Sequence, residues 1–272
     1  DYLKAGLLDR AEETFERLRG TMLDEEAKRS LLEIYQLGKD WERAIAIAKE
    51  LPDVASRKEI AEYYCELAAA EMIRSRRAEA RDHLGTALEM NRHCVRASLL
   101  LGDLNAQEGD QQAAIDSWQQ IESQNPAYLA LVAQRLLAAY RALDRRDDGL
   151  RLLRGYLENY HSLDLLDVVF QLVLESDGAE VAYTLVRDEL RRNPTLLGFD
   201  KLLEARLFNA APEIRPDIDL AKGIVQNYTR RLARYRCDNC GFKARQFYWR
   251  CPACGGWETY PPKRTEEFDL TP

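Results

Sequence analysis

Along most of the chain a small residue is followed four positions later by another, usually bulky, side chain, and three beyond that by a position that is usually apolar. The pattern runs Ala11/Phe15/Leu18, Ala44/Ala48/Leu51, Ala80/Leu84/Ala87, Ala114/Trp118/Ile121, Gly149/Leu153/Tyr156 and Ala182/Val186/Glu189. Steps of four and three keep all three side chains on one helical face. The leading residues lie 33, 36, 34, 35 and 33 apart, so each triplet marks one helix of a recurring unit of about 34 residues. Punctuation agrees with the period. Gly38 with Asp40 and Trp41, and Gly102 and Gly109 with Asp110, are expected to break helix ahead of the marked one. Asn125-Pro126 and Asn193-Pro194 close units, because proline cannot continue a helix and restricts the residue before it.

Near Pro212 the period stops. "RPDIDLAKGIVQNYTRRLARY" predicts one closing helix within 212–236, with Pro216 in its first turn and apolar residues at Ile218, Leu220, Ile224, Val225, Tyr228 and Leu232. That helix is expected to cap the array and run directly into "CDNCGFKARQFYWRCPACGGW".

The stretch "SLLLGDLNAQEGDQQAAIDSWQQIESQNP" resembles the tetratricopeptide family, and the other units resemble it more loosely. The resemblance implies an all-α fold: antiparallel helix pairs stacked as a right-handed superhelix with a concave surface. The expected division is a repeat array over 1–211, a closing helix over 212–236, a rubredoxin-type metal module over 237–260 and a tail over 261–272. The first triplet lacks a full preceding helix and the chain opens on Asp1, which reads as a fragment beginning inside a repeat.

Six cysteines bear on the chemistry. Cys65 and Cys94 stand alone in helical pattern and read as small buried hydrophobes. Cys237, Cys240, Cys251 and Cys254 form two CxxC pairs with ten residues between them, a four-thiolate set suited to one iron or zinc ion. Gly241 and Gly255 each follow a pair, where positive φ allows a tight knuckle. Phe242, Phe247, Trp249 and Trp257 are expected to pack around the metal. A closed set of four thiolates leaves no position for water, so the site reads as structural or redox rather than hydrolytic. The metal points to a reducing compartment, the cytoplasmic side. His83, His93 and His161 are scattered, and no P-loop, Rossmann fingerprint or G-x-S-x-G occurs, so no enzyme constellation stands out.

Charge is uneven. Between Tyr228 and Arg264 nine basic residues face Asp238 and Glu258, a formal +7 within a chain of net −7. The basic tip can dock on the acidic array, meet an anionic lipid surface or engage an acidic protein. The overall acidity argues against a dedicated nucleic-acid binder.

The cysteine segment resembles a rubredoxin-type knuckle, shortened between its pairs, and also the knuckle of the RadA repair ATPases, whose Walker loop is missing here. Repeats plus closing helix plus this knuckle resemble the lipopolysaccharide assembly protein B family over the whole chain. That resemblance implies a non-enzymatic adaptor at the bacterial inner membrane, cytoplasmic side, anchored by an N-terminal helix that this fragment lacks. It implies partners: the membrane protease FtsH, the deacetylase that commits lipid A synthesis, and other lipopolysaccharide assembly proteins. The four cysteines match the family's metal ligands, with iron the family's metal and zinc equally compatible with the spacing. Two alternatives stay open, a generic peptide-binding scaffold and an electron-transfer protein with a one-iron centre. Carboxylate-clamp positions hold Arg29 and Glu33, Cys65 and Ala69, Leu99 and Asp103, then Gln134 and Ala138, so the clamp of chaperone cofactors is missing. Glu62, Arg96, Asp103, Gln134 and Arg141 are the candidate groove contacts.

Overall fold

The computed structural model describes residues 2–3, 5–51, 56–160, 162–229 and 235–262. His161, Leu232, Arg230, Arg231, Arg234, Lys263, Arg264 and the rest of the tail to 272 lie outside the described residues. The chain forms two compact units, Asp1–Gln120 and Ile121–Pro272.

In the first unit helices α1 (Leu8–Glu16), α2 (Asp24–Gly38), α3 (Trp41–Glu50), α4 (Arg57–Ile73), α5 (Arg77–Met90) and α6 (Val95–Gln107) follow one another with few residues between them, and α7 (Gln111–Gln124) follows α6. Short connections make sequential helices antiparallel neighbours. Several helix ends have a local cause. Lys39, at φ 56°, takes the left-handed position after α2, and Asp40 then accepts the Arg43 amide at 3.2 Å to cap α3. Ser56 and Glu59 form a reciprocal capping box at the start of α4. Gly109, at φ 88°, lets the chain reverse before Asp110 caps α7 through the Ala113 amide at 2.9 Å. The marked small residues Ala11, Ala44, Ala80 and Ala114 are buried on α1, α3, α5 and α7, the second helix of each pair. Cys65 and Cys94 lie fully buried among Ala61, Ala68, Leu84 and Ala97, with their Sγ atoms 3.7 Å apart. Burial drives the Cys65 thiol well above its usual pKa, which keeps it protonated and unreactive.

Gly102 departs from the sequence reading. It lies inside α6 and breaks nothing. A Cβ there would stand 2.2 Å from Trp118 Nε1 on α7, and that indole N–H donates to the Leu99 carbonyl at 3.2 Å. The glycine is a point of close helix approach.

The second unit contains the 3₁₀ turn Pro126–Leu131, α8 (Ala133–Ala142), α9 (Arg146–Tyr160), α10 (Leu163–Asp177), α11 (Ala179–Arg192), α12 (Leu196–Phe208) and α13 (Arg215–Thr229). Asn125 accepts the Ala127 amide at 3.2 Å, and Pro126 starts the turn rather than merely ending a helix. Among the described residues the elements are those of a tetratricopeptide-type all-α array, and no helix is long and apolar enough to cross a membrane.

The closing helix is shorter than expected. It is described from Arg215 to Thr229, and Tyr235–Arg236 is not helix but strand β1, pairing antiparallel with β2 (Lys243–Ala244). The cysteine loop needs an extended entry, and two helical residues there would forfeit those ladder bonds. The helix's apolar residues also divide. Ile218 and Val225 are half-buried, while Leu220, Ile224 and Tyr228 are 65%, 63% and 58% exposed.

The Gly102 contact gives a direct check. Gly102→Ala should destabilise the first unit by about 1–3 kcal/mol, since the methyl group must displace a packed indole. Denaturant titration followed by circular dichroism reads this, and an unchanged midpoint would contradict the close approach.

Candidate metal centre

Two turns bring the four cysteines together. Cys237 follows β1 and its N–H donates to the Phe242 carbonyl at 2.9 Å, while Gly241 N–H donates back to Cys237 O at 2.9 Å. The second loop repeats the geometry: Cys251 N–H donates to Gly256 O at 2.8 Å, and Gly255 N–H to Cys251 O at 2.9 Å. Gly241 and Gly255 have φ of 74° and 71°, as the spacing predicts. Their left-handed turns point amide hydrogens at sulfur. The amides of Asn239 and Cys240 reach Cys237, that of Phe242 reaches Cys240, those of Ala253 and Cys254 reach Cys251, and that of Gly256 reaches Cys254.

All four Sγ atoms lie within 4.8 Å of one another, with Cys237–Cys254 at 3.8 Å and Cys240–Cys251 at 3.7 Å. A tetrahedral ion with metal–sulfur bonds of about 2.3 Å requires sulfur–sulfur edges of about 3.8 Å. The residues fit such an ion. Cys237 and Cys251 are buried, and Cys240 and Cys254 are exposed.

Without a cation the cluster is electrostatically divided. The Gly256 amide, then the Asn239 side chain, lower Cys254 to about 6. Burial opposes ionisation of Cys237, but Thr259 and the amides of Cys240 and Asn239 outweigh it and lower its pKa. Although the Phe242 amide favours a thiolate at Cys240, desolvation and the other three sulfurs push it up to about 12. Burial raises Cys251. Four close thiols cannot all ionise unless positive charge lies among them.

The aromatic shell differs from the one expected. Tyr260 is fully buried and packs with Cys237, Cys251, Tyr235, Phe247 and Tyr248, and its hydroxyl donates to the Tyr235 carbonyl at 3.1 Å. Trp257 is buried beneath the Arg250 guanidinium at 5.5 Å, whereas Phe242 is 36% exposed at the rim. Trp249 has a partner in the repeats. It stacks on Tyr128 of the 3₁₀ turn with centroids 5.6 Å apart and planes 4° apart, and Phe247 meets Tyr128 edge-on at 6.3 Å. Tyr128 is fully buried. Within the second unit, therefore, the metal module packs on the repeats through aromatic rings. Sequence reasoning passed over Tyr128, Tyr260, Asn239 and Thr259. Only the Asn125-Pro126 turn beside Tyr128 carried a signal, and it was read as punctuation.

The module itself is less basic than the wider segment around it. Within 235–262 four basic side chains face two acidic ones, and a divalent ion on four thiolates carries −2, so the loaded module is near neutral. The groove candidates differ in exposure. In the first unit Glu62 and Arg96 are buried, with Arg96 Nη1 3.5 Å from Glu62 and 2.8 Å from Glu66, so neither offers its side chain to a partner. Their register turns toward the neighbouring helix, as the burial of the clamp positions Cys65 and Leu99 also shows. Asp103 is half-buried there. In the second unit Gln134 and Arg141 are exposed on α8, and Arg141 pairs with Glu175 at 3.2 Å.

Residues 235–262 match the family model described as the rubredoxin metal binding domain. The Escherichia coli (strain K12) lipopolysaccharide assembly protein B is 32% identical over 97% of this chain and 69% of its own length. That of Haemophilus influenzae is 30% identical over 99% and 69%. The chain belongs to the lipopolysaccharide assembly protein B family. MamA is 22% identical with a TM-score of 0.40, covering 58% of this chain and 91% of its own, a likeness too loose to inform function. For this member of the lipopolysaccharide assembly protein B family, then, the four cysteines are placed to hold one ion, iron or zinc.

The divided thiols predict a proton count. With Cys240 and Cys251 raised, at least two cysteines are protonated near neutral pH in the metal-free protein. Ion binding must release those protons, so affinity should rise with pH and weaken as pH falls. Titration calorimetry in buffers of different ionisation enthalpy should show about two or more protons released per zinc at pH 7.5. Release near zero would contradict the charge assignment.

Proposed function

We propose that the chain is a non-enzymatic adaptor in lipopolysaccharide assembly, in which the metal holds a recognition module against the repeats. The observation that carries this reading is the Trp249–Tyr128 stack with Phe247 edge-on, a fixed aromatic contact between knuckle and repeat array. A module used only for electron transfer has no need of such a fixed seat. Family membership supplies the pathway, and helical repeats supply surface for protein partners. In this reading the adaptor works at the cytoplasmic face of the inner membrane. It brings the deacetylase that commits lipid A synthesis to the membrane protease FtsH, and it gathers other assembly proteins there. Asp103, Gln134 and Arg141 remain the positions proposed for partner contact. The Arg141–Glu175 pair is exposed at both ends and therefore easily exchanged for a partner's carboxylate.

Full-length variants in cells lacking their own copy test the reading. Cys251→Ser with Cys254→Ser should remove the metal and lengthen the deacetylase half-life several-fold. Trp249→Ala should lengthen it too while the protein keeps its ion, as measured by elemental analysis. If Trp249→Ala regulates like the parent, the seating of the module is not what the adaptor uses.

A further inference from the structure

Two side chains reach sulfur across the centre, each from the loop opposite. Asn239 lies between Cys237 and Cys240, yet its Nδ2 donates to Cys254 Sγ at 3.4 Å. Thr259 follows the second loop, and its Oγ1 stands 3.4 Å from Cys237 Sγ. The main chain reinforces the second crossing, because Asp238 N–H donates to the Thr259 carbonyl at 2.7 Å. Each loop thus contributes one bond to the other loop's cysteine, and both bonds fall on the Cys237–Cys254 edge. On the Cys240–Cys251 edge the Phe242 amide reaches Cys240, and the Ala253 and Cys254 amides reach Cys251.

The direction of the Thr259 bond depends on the ion. With Cys237 protonated, its S–H donates to Thr259 Oγ1, and the hydroxyl donates to the Gly256 carbonyl at 3.2 Å. A metal-bound Cys237 has no proton, so the 3.4 Å contact is attractive only if the hydroxyl turns onto sulfur. Turning leaves no orphan, since the Gly256 carbonyl keeps the Cys251 amide at 2.8 Å.

We propose that Asn239 and Thr259 are positioning residues whose crossing bonds to Cys254 and Cys237 clamp the two cysteine loops together around the metal site. A thiolate that accepts extra hydrogen bonds carries less charge, and each crossing bond ties one loop to the other. Donors to metal-bound ligands tune retention and, for iron, the potential, because the reduced centre is the more negative one.

The test uses the full chain loaded separately with zinc and with iron, and it rests on the metal-centre assignment. A parent that holds no ion would sink that assignment, whereas variants indistinguishable from a loaded parent would sink only the clamp. Thr259→Val keeps the shape and removes the hydroxyl, Thr259→Ser restores the hydroxyl, and Asn239→Ala changes an exposed loop position. Zinc transfer to a colorimetric chelator should speed up about tenfold in Thr259→Val and in Asn239→Ala, with Thr259→Ser near the parent. In the iron-loaded proteins the midpoint potential should move to more negative values in the same two variants. Parent-like release and potential in both variants would overturn the proposal. So would a Thr259→Ser variant as impaired as Thr259→Val, since packing rather than the hydroxyl would then be responsible.

Discussion

Four sulfur atoms held at tetrahedral spacing are stable as thiolates only around a cation, and the last described stretch of the chain depends on that constraint. Two strands of two residues each and a few rings do not make a core that could fold alone. Ion binding in small four-thiolate modules supplies on the order of 10–16 kcal/mol. The glycine turns aim amides at sulfur, and Tyr260 closes over the two buried cysteines. Phe247 packs with that group on one side and meets Tyr128 on the other.

The module's orientation within its unit then follows from the rings. An aromatic pair contributes about 0.5–1.5 kcal/mol beyond the area it buries, far less than the ion. The two interactions therefore have different tasks. Metal makes the module, and the stack on Tyr128 says where the module sits. Tyr128 is itself placed by the Asn125-Pro126 turn, so a feature of the repeat's punctuation becomes the seat of the knuckle. A closed thiolate site seated in this way suits recognition, where the position of a surface matters more than turnover.

Much of this was legible in the sequence, for physical reasons that differ by region. The recurring small residue had to be visible, because a helix packed on both neighbours tolerates only alanine or glycine at its closest approach, and Ala44, Ala80, Ala114 and Ala182 are all fully buried. The four cysteines and their glycines were equally plain, since metal geometry fixes their spacing. Contacts between segments distant in sequence were not legible. Nothing local marks Tyr128 as the partner of Trp249, or Thr259 as a neighbour of Cys237. Gly102 looked like a helix breaker because a glycine that admits an indole and one that ends a helix are the same letter. The groove register placed Glu62 and Arg96, both buried, among surface contacts, because spacing alone does not say which charged residues a neighbouring helix covers. The closing helix was drawn too long because "RRLARY" keeps a helical pattern up to the point where the thiolate loop imposes a strand.

The central claim is that the ion holds the module and the module covers the repeat at Tyr128. Hydrogen exchange on the full chain, with and without its metal, tests this most directly when read at the 3₁₀ turn Pro126–Leu131. There the Tyr128 and Val132 amides donate to Asn125 and Leu129 carbonyls at 3.1 Å each. Removing the ion should free the amides of 235–262 and also speed exchange at Tyr128 and Val132 by at least about tenfold, a local opening cheaper by about 1.4 kcal/mol. Unchanged protection at the turn, with the cysteine loops fully exchanging, would show that the metal holds only itself and would contradict the account.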